Sequence, residues 1–159
     1  MLDTTRLRAA YRALLDAAAA PGTPAAPPDG EWTADQVLAH VSLVTATTLA
    51  AVSAVTAGAN TGYDNRHALD TWTIDRTIAL AGGGTAGLRE RIRVQGEALC
   101  ALAGPGLSEA ELDTPVPTLL LSNGTVLVDR PLPLRDLLTG LADVELPAHT
   151  AQFRALVAA

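Results

Sequence analysis

Lysine is absent from this chain, and all 11 basic side chains are arginine. Against 17 acidic residues they leave a formal net charge of −6, with no basic stripe. That balance argues against nucleic acid or an anionic membrane surface as a partner. Cysteine is nearly absent as well. Cys100 stands alone, so no disulfide can form within the chain, and a reducing compartment is the default setting. Beside Leu99 and Leu102 it reads as a buried structural thiol rather than a nucleophile. The amino terminus carries no apolar leader stretch, so a cytoplasmic location is expected. Aromatic residues make up only 3% of the chain, which leaves the core to aliphatic side chains.

Hydrophobic residues nevertheless reach 48%, and much of that is alanine. Alanine is the strongest helix former and lets helices approach closely. With 159 residues, the expectation is one domain over residues 1–159, built as an all-α bundle. Arginine without lysine, together with abundant alanine, glycine and proline, is the usage of a GC-rich genome and hints at an actinobacterial source.

The organising stretch runs from Gly30 to Val44. Thr33 is placed as an N-cap, with Gln36 three residues on to complete a capping box. Trp32 and Val37 sit where a hydrophobic staple forms. The helix that follows, 33–57, is apolar enough to raise the question of a membrane span. Its hydroxyls, its histidine and the lack of basic flanks fit a buried helix better, so no membrane partner is expected. Thr45, Thr48 and Ser53 read as hydroxyls bonded back to the carbonyl four residues earlier.

Four other helices are predicted: 3–20, 66–81, 85–103 and 134–157. A Pro/Gly linker spans 21–29, a loop 60–65, and Gly82, Gly83 and Gly84 stop the third helix. Leu69, Trp72, Thr73, Ile74 and Ile78 are placed on the apolar side of that helix. Runs at 116–121 and 125–128 flank Ser122-Asn123-Gly124, which signals a β-hairpin before the last helix. Pro131 and Pro133 are expected to end it.

Three side chains stand out chemically. His40 lies about 60° from the centre of its helix's apolar face, close to the core yet able to reach a cavity. Glu145 falls inside the apolar stripe of the last helix, and His149, four residues on, lies at its edge. Pro147 between them should kink or loosen that helix. A carboxylate in an apolar stripe needs a partner or a metal. Two histidines and one carboxylate from facing helices suit a divalent metal with open coordination positions. A buried His–Glu pair without metal satisfies the same spacing. The cluster from Tyr63 to His67 offers a second candidate. Asp64 or Asn65 would cap a helix, and Arg66 and His67 would line a pocket mouth for a cofactor; ordinary capping with a solvated histidine is the alternative.

The segment Trp32-Thr33-Ala34-Asp35-Gln36-Val37-Leu38-Ala39-His40 resembles the second-helix signature of the DinB-like superfamily, which includes the N-terminal domain of mycothiol-dependent maleylpyruvate isomerase. The segment from Glu145 to Leu156 is similar to that family's later motif, with Gln152 and Leu156 where the family often has them. The resemblance implies a four-helix-bundle core with a crossover connection, to which the hairpin is an addition. It implies a metal site with one histidine from the second helix and two from the later motif. Glu145 stands here in place of the first of those two. The implied ligands are therefore His40, Glu145 and His149, and the implied metal is zinc or nickel. In an actinobacterial setting the implied thiol is mycothiol, activated by the metal and added to an electrophilic small-molecule substrate by a transferase, isomerase or hydrolase. Without metal, Glu145 and His149 would serve as a catalytic acid–base pair, or the chain would be a non-catalytic small-molecule-binding bundle. Related proteins often form homodimers, and the many alanines of this chain permit such packing.

Overall fold

The computed structural model describes residues 2–20 and 25–158. Residues 21–24 of the expected linker lie outside that range. The fold is mostly helical, with a small three-stranded sheet.

Helix α1, Thr5–Ala19, begins where the Asp3 carboxylate accepts the Thr5 N–H at 2.9 Å. It buries Leu7, Tyr11, Leu14, Ala17 and Ala18. Helix α2, Ala34–Thr56, opens on the full capping box. Thr33 Oγ1 accepts the Gln36 N–H at 3.2 Å, and Gln36 Oε1 accepts the Thr33 N–H at 3.0 Å. The helix closes with Gly58 at φ +68°, its N–H bonded to Val55 O while the Ala59 N–H reaches back to Ala54 O. That pair of bonds needs a left-handed residue at position 58, which glycine supplies without strain. By length and composition α2 could cross a bilayer, but 61% of its most apolar window is buried within the fold. It is the central helix, packed against four others introduced below.

Strand β1, Tyr63–Asp64, and a 3₁₀ turn, Arg66–Ala68, precede helix α3, Thr71–Leu80. The predicted loop at 60–65 thus contains a strand, and the third helix starts five residues later than its periodicity suggests. Asp70 sets that start by accepting the Thr73 N–H at 2.9 Å and the Thr73 hydroxyl at 2.6 Å. Trp72 is not on the apolar side. It is 69% exposed, with the Arg76 guanidinium 5.6 Å from its ring centroid. Gly82 and Gly83, at φ +90° and +76°, end the segment as expected.

Helix α4, Thr85–Ala103, covers the predicted range and packs along α2 and α1. Gly96 makes that approach close, since a Cβ there would stand 3.0 Å from the Tyr11 ring. Tyr11 and Thr45 share a buried hydrogen bond of 2.9 Å, so this hydroxyl looks across to α1 rather than back along its own helix. Thr48 does bond back, to Val44 O, while Ser53 is exposed. Cys100 is buried, and burial pushes its thiol pKa up, which suits a structural role.

A short helix α5, Glu109–Leu112, leads into strands β2, Pro115–Ser122, and β3, Thr125–Pro133. Asn123 and Gly124, at φ +49° and +76°, form the tight turn between them. β3 runs through Pro131 and Pro133, which pair with Pro117 and Pro115 instead of ending the strand. β3 is an edge strand, where a missing N–H costs no ladder bond. The register slips at Leu120/Leu121, leaving Leu127 as an extra, bulged residue. β1 pairs parallel with β2 at Thr118 and Leu119, giving the order β1-β2-β3.

The last helical segment has three parts. Helix α6, Leu134–Gly140, passes into a wide π turn, Leu141–Glu145, and then into helix α7, Leu146–Ala158. Leu14, Leu38, Leu88, Ile92, Leu99, Leu138, Leu146 and Phe153 form the centre of one continuous core. α7 packs on α1 and α2, and α3 and α4 also pack on α2.

Candidate metal centre

His40 stands in the second turn of α2 with its side chain only 3% exposed. The Trp32 ring lies 4.8 Å from it, tilted by 44°, so the residue read as a staple also walls the imidazole. His40 Nδ1 donates to the Ala68 carbonyl at 2.8 Å, and Nε2 faces Glu145 Oε1 at 3.0 Å. His149 Nδ1 donates to Gln152 Oε1 at 2.9 Å, and its Nε2 faces the same Glu145 Oε1 at 3.2 Å. The two imidazoles lie 4.6 Å apart, centroid to centroid.

Glu145 and His149 reach this point because of the wide turn. On an unbroken α-helix, Leu146, Thr150 and Phe153 would point about 120° away from Leu134, Leu138 and Leu141. All six are buried. A wide turn advances each residue by less than 100° and brings the two sets onto one core. Pro147 lies just beyond, where it lacks the N–H that a regular helix would donate to Asp143 O and its ring would crowd that carbonyl. The expected loosening is therefore this turn. It places Glu145 and His149 on the shoulder of the buried face, with side chains 35% and 16% exposed. Glu145 is not inside the stripe; Leu146 holds that place.

A proton count shows what the cluster requires. A carbonyl oxygen only accepts, so Nδ1 of His40 carries hydrogen, and Nδ1 of His149 does so toward Gln152. Two neutral imidazoles would then aim their Nε2 lone pairs at an anionic carboxylate oxygen. Positive charge must sit between them, as a second proton on each ring or as a single divalent cation. Either filling leaves the same net charge.

The geometry suits the cation. One ligand atom from each residue lies within 4.8 Å of the other two. Zinc bonds of about 2.0–2.2 Å put neighbouring tetrahedral ligand atoms about 3.3 Å apart, close to the 3.0 and 3.2 Å seen here. The outer nitrogens already hold the acceptors that orient metal-bound histidines.

In the protonated form the same contacts set the ionisation. Burial, the largest influence on Glu145, pushes its carboxyl up. Hydrogen bonds and charge from His149 and His40 outweigh it and hold the group far below the usual carboxylate range. Burial pushes His149 down, but the hydrogen bond and charge of Glu145, with help from Gln152, leave it raised. Tyr63 is buried near the cluster, its hydroxyl donating to Thr48 Oγ1 at 3.4 Å. Burial first, with the Glu145 charge contributing, pushes it up to about 12.

Arg66 and His67, the expected pocket-mouth pair, take no part in the cluster. Arg66 folds onto Asp64, with contacts of 2.6 and 2.9 Å to Oδ2. His67 Nε2 donates to Thr47 Oγ1 at 2.8 Å, since Thr47 gives its own proton to Leu43 O. They border the site only through Ala68, the next residue, whose backbone oxygen no side-chain pattern reveals. Asp64 accepts the Arg66 N–H at 3.0 Å, and Asn65 turns its side chain away to the sheet.

Comparisons with protein-family models, curated proteins and solved structures find no match.

Proposed function

We propose that this chain is a divalent-metal-dependent enzyme of the DinB-like class, acting on a small molecule with mycothiol or another low-molecular-weight thiol. In this reading α1, α2, α4 and the α6–α7 segment form the four-helix core, and the protein works in the cytoplasm. The observation that carries it is the convergence of three acceptors, with both outer imidazole nitrogens already committed. His40 and His149 hold the ion through Nε2, and Glu145 through Oε1. A bound divalent ion supplies the charge that lowers a thiol's pKa to near neutrality. Glu145 Oε2 has no hydrogen-bond partner among the described residues, so it is free to accept a hydrogen bond from an incoming thiol, whose proton passes to solvent. Three protein ligands leave room for the thiol.

The ionisation directions of Glu145 and His149 favour a second reading, a metal-free acid–base pair. Elemental analysis of untagged protein separates the two. The metalloenzyme reading expects one zinc or nickel ion per chain, none in a folded His40→Ala variant, and mycothiol-dependent consumption of an electrophile that chelation stops. A parent chain with no metal, even after incubation with zinc and nickel salts, sinks it and leaves the acid–base pair.

A further inference from the structure

The segment between β1 and α3 is tied down at both ends. Asn65 is 9% exposed and acts as a strand mimic. Its backbone N–H bonds to Leu119 O at 3.3 Å, the last ladder contact of that edge. Beyond it the chain leaves the sheet, and the side-chain amide continues the pairing. Nδ2 donates to Leu121 O, and Oδ1 accepts the Leu121 N–H, both at 2.9 Å. The fork grips β2 where its register with β3 slips.

The other end is three residues away. Asn65 O accepts the Ala68 N–H at 3.0 Å and closes the 3₁₀ turn. Ala68 is fully buried, and its carbonyl takes the Nδ1 proton of His40. One short turn therefore connects a fork on the sheet to the acceptor that orients the His40 ring.

We infer that Asn65 is a positioning residue for the three-residue centre, holding the Ala68 carbonyl so that His40 presents Nε2 to Glu145. As a statement about metal this rests on the function proposed above. As a statement about the orientation of the His40 ring and its Nδ1 hydrogen bond it does not. Orienting partners of metal-bound histidines typically change metal affinity by about 10–100-fold when lost. The amide fork reaches such a partner through a single turn of backbone.

The test uses the full chain, with zinc as the probe. Asn65→Ala leaves both Leu121 backbone groups without their partner and releases the start of the turn. Tyr11→Phe serves as a control, because it loses a buried hydrogen bond, to Thr45, in which none of His40, Glu145 and His149 takes part. Two readouts are compared, both at a temperature where circular dichroism shows each variant folded. In metal-free protein, ring ¹⁵N shifts of His40 are expected to show Nδ1 protonated and hydrogen-bonded in the parent and Tyr11→Phe. A changed or averaged ring pattern is expected in Asn65→Ala. Zinc affinity is expected to drop about 10-fold or more in Asn65→Ala and to stay within twofold in Tyr11→Phe. Asn65→Asp, which keeps the acceptor for the Leu121 N–H, is expected to fall between. His40 shifts in Asn65→Ala that match the parent overturn the inference, whether or not zinc binds. A parent that binds no zinc overturns the functional reading alone. Equal zinc loss in Tyr11→Phe shows general destabilisation and also overturns the inference.

Discussion

Glu145→Ala is expected to abolish stoichiometric metal binding while leaving a folded protein. Glu145 is the only anion of the three and, among the described residues, the one carboxylate to which both imidazoles bond. Without it, two neutral nitrogens remain to hold a dication. Structural zinc sites gather about 10–16 kcal/mol from four ligands, so one ligand accounts for ~2.5–4 kcal/mol. That corresponds to a loss of roughly 70- to 900-fold in affinity. Thermal unfolding offers a second readout. Metal at about 1,000 times its Kd stabilises a binding protein by ~4 kcal/mol, and in Glu145→Ala that increment should vanish. For a domain of this size ~4 kcal/mol moves the midpoint by about 10 °C. Glu145→His, which restores the three-histidine pattern of the resembling family, is expected to keep metal. Glu145→Gln keeps the shape but not the charge, and should bind more weakly than the parent. Equimolar metal retained in Glu145→Ala would show that the ion sits elsewhere.

Acidification is expected to expel the metal, with His149 among the groups whose protons compete for the site. The His149 pKa is raised by Glu145 against the opposing pull of burial. Below that value a metal must displace a proton from Nε2; above it the nitrogen is already free. Apparent affinity should therefore be level at alkaline pH and fall about tenfold per pH unit per displaced proton on the acid side. Glu145 is held so far down that its own protonation does not enter the same window. Zinc competition against a chelator between pH 8.5 and 5.5, corrected for the chelator's own protons, measures the slope. A flat profile would count against proton competition and hence against His149 Nε2 as a ligand.

Local signals were the legible part of this fold. The Thr33–Gln36 box fixes the start of α2, the glycines after Leu80 fix the gap before α4, and Asn123-Gly124 fixes the hairpin turn. Each is chemistry within a few residues. Long-range signals were not legible. β1 is only two residues long and exists because β2 lies beside it. Trp72 has an apolar ring, yet it stands exposed on α3. Pro131 and Pro133 read as breakers because a sequence does not say which strand is an edge. The cluster divides in the same way. His40, Glu145 and His149 are conspicuous because they interrupt apolar helices. The partners that orient the site are less so: the Ala68 oxygen belongs to the backbone, and the Asn65 amide acts across 56 positions of sequence. Helical phase placed Glu145 one residue too deep, since it assumed a regular helix through a wide turn.

That turn also bears on how this chain can change in length. A helix packed at both ends cannot lose a residue without rotating everything beyond it by about 100°. Here the segment Leu141–Glu145 stores a surplus residue, so shortening by one at exposed Val144 would tighten the turn and keep both flanks on the core. Pro147, whose ring needs the slack, is the side chain that opposes it. Loss of the proline and loss of a residue should therefore travel together among descendants of this sequence, with Glu145 and His149 still four apart.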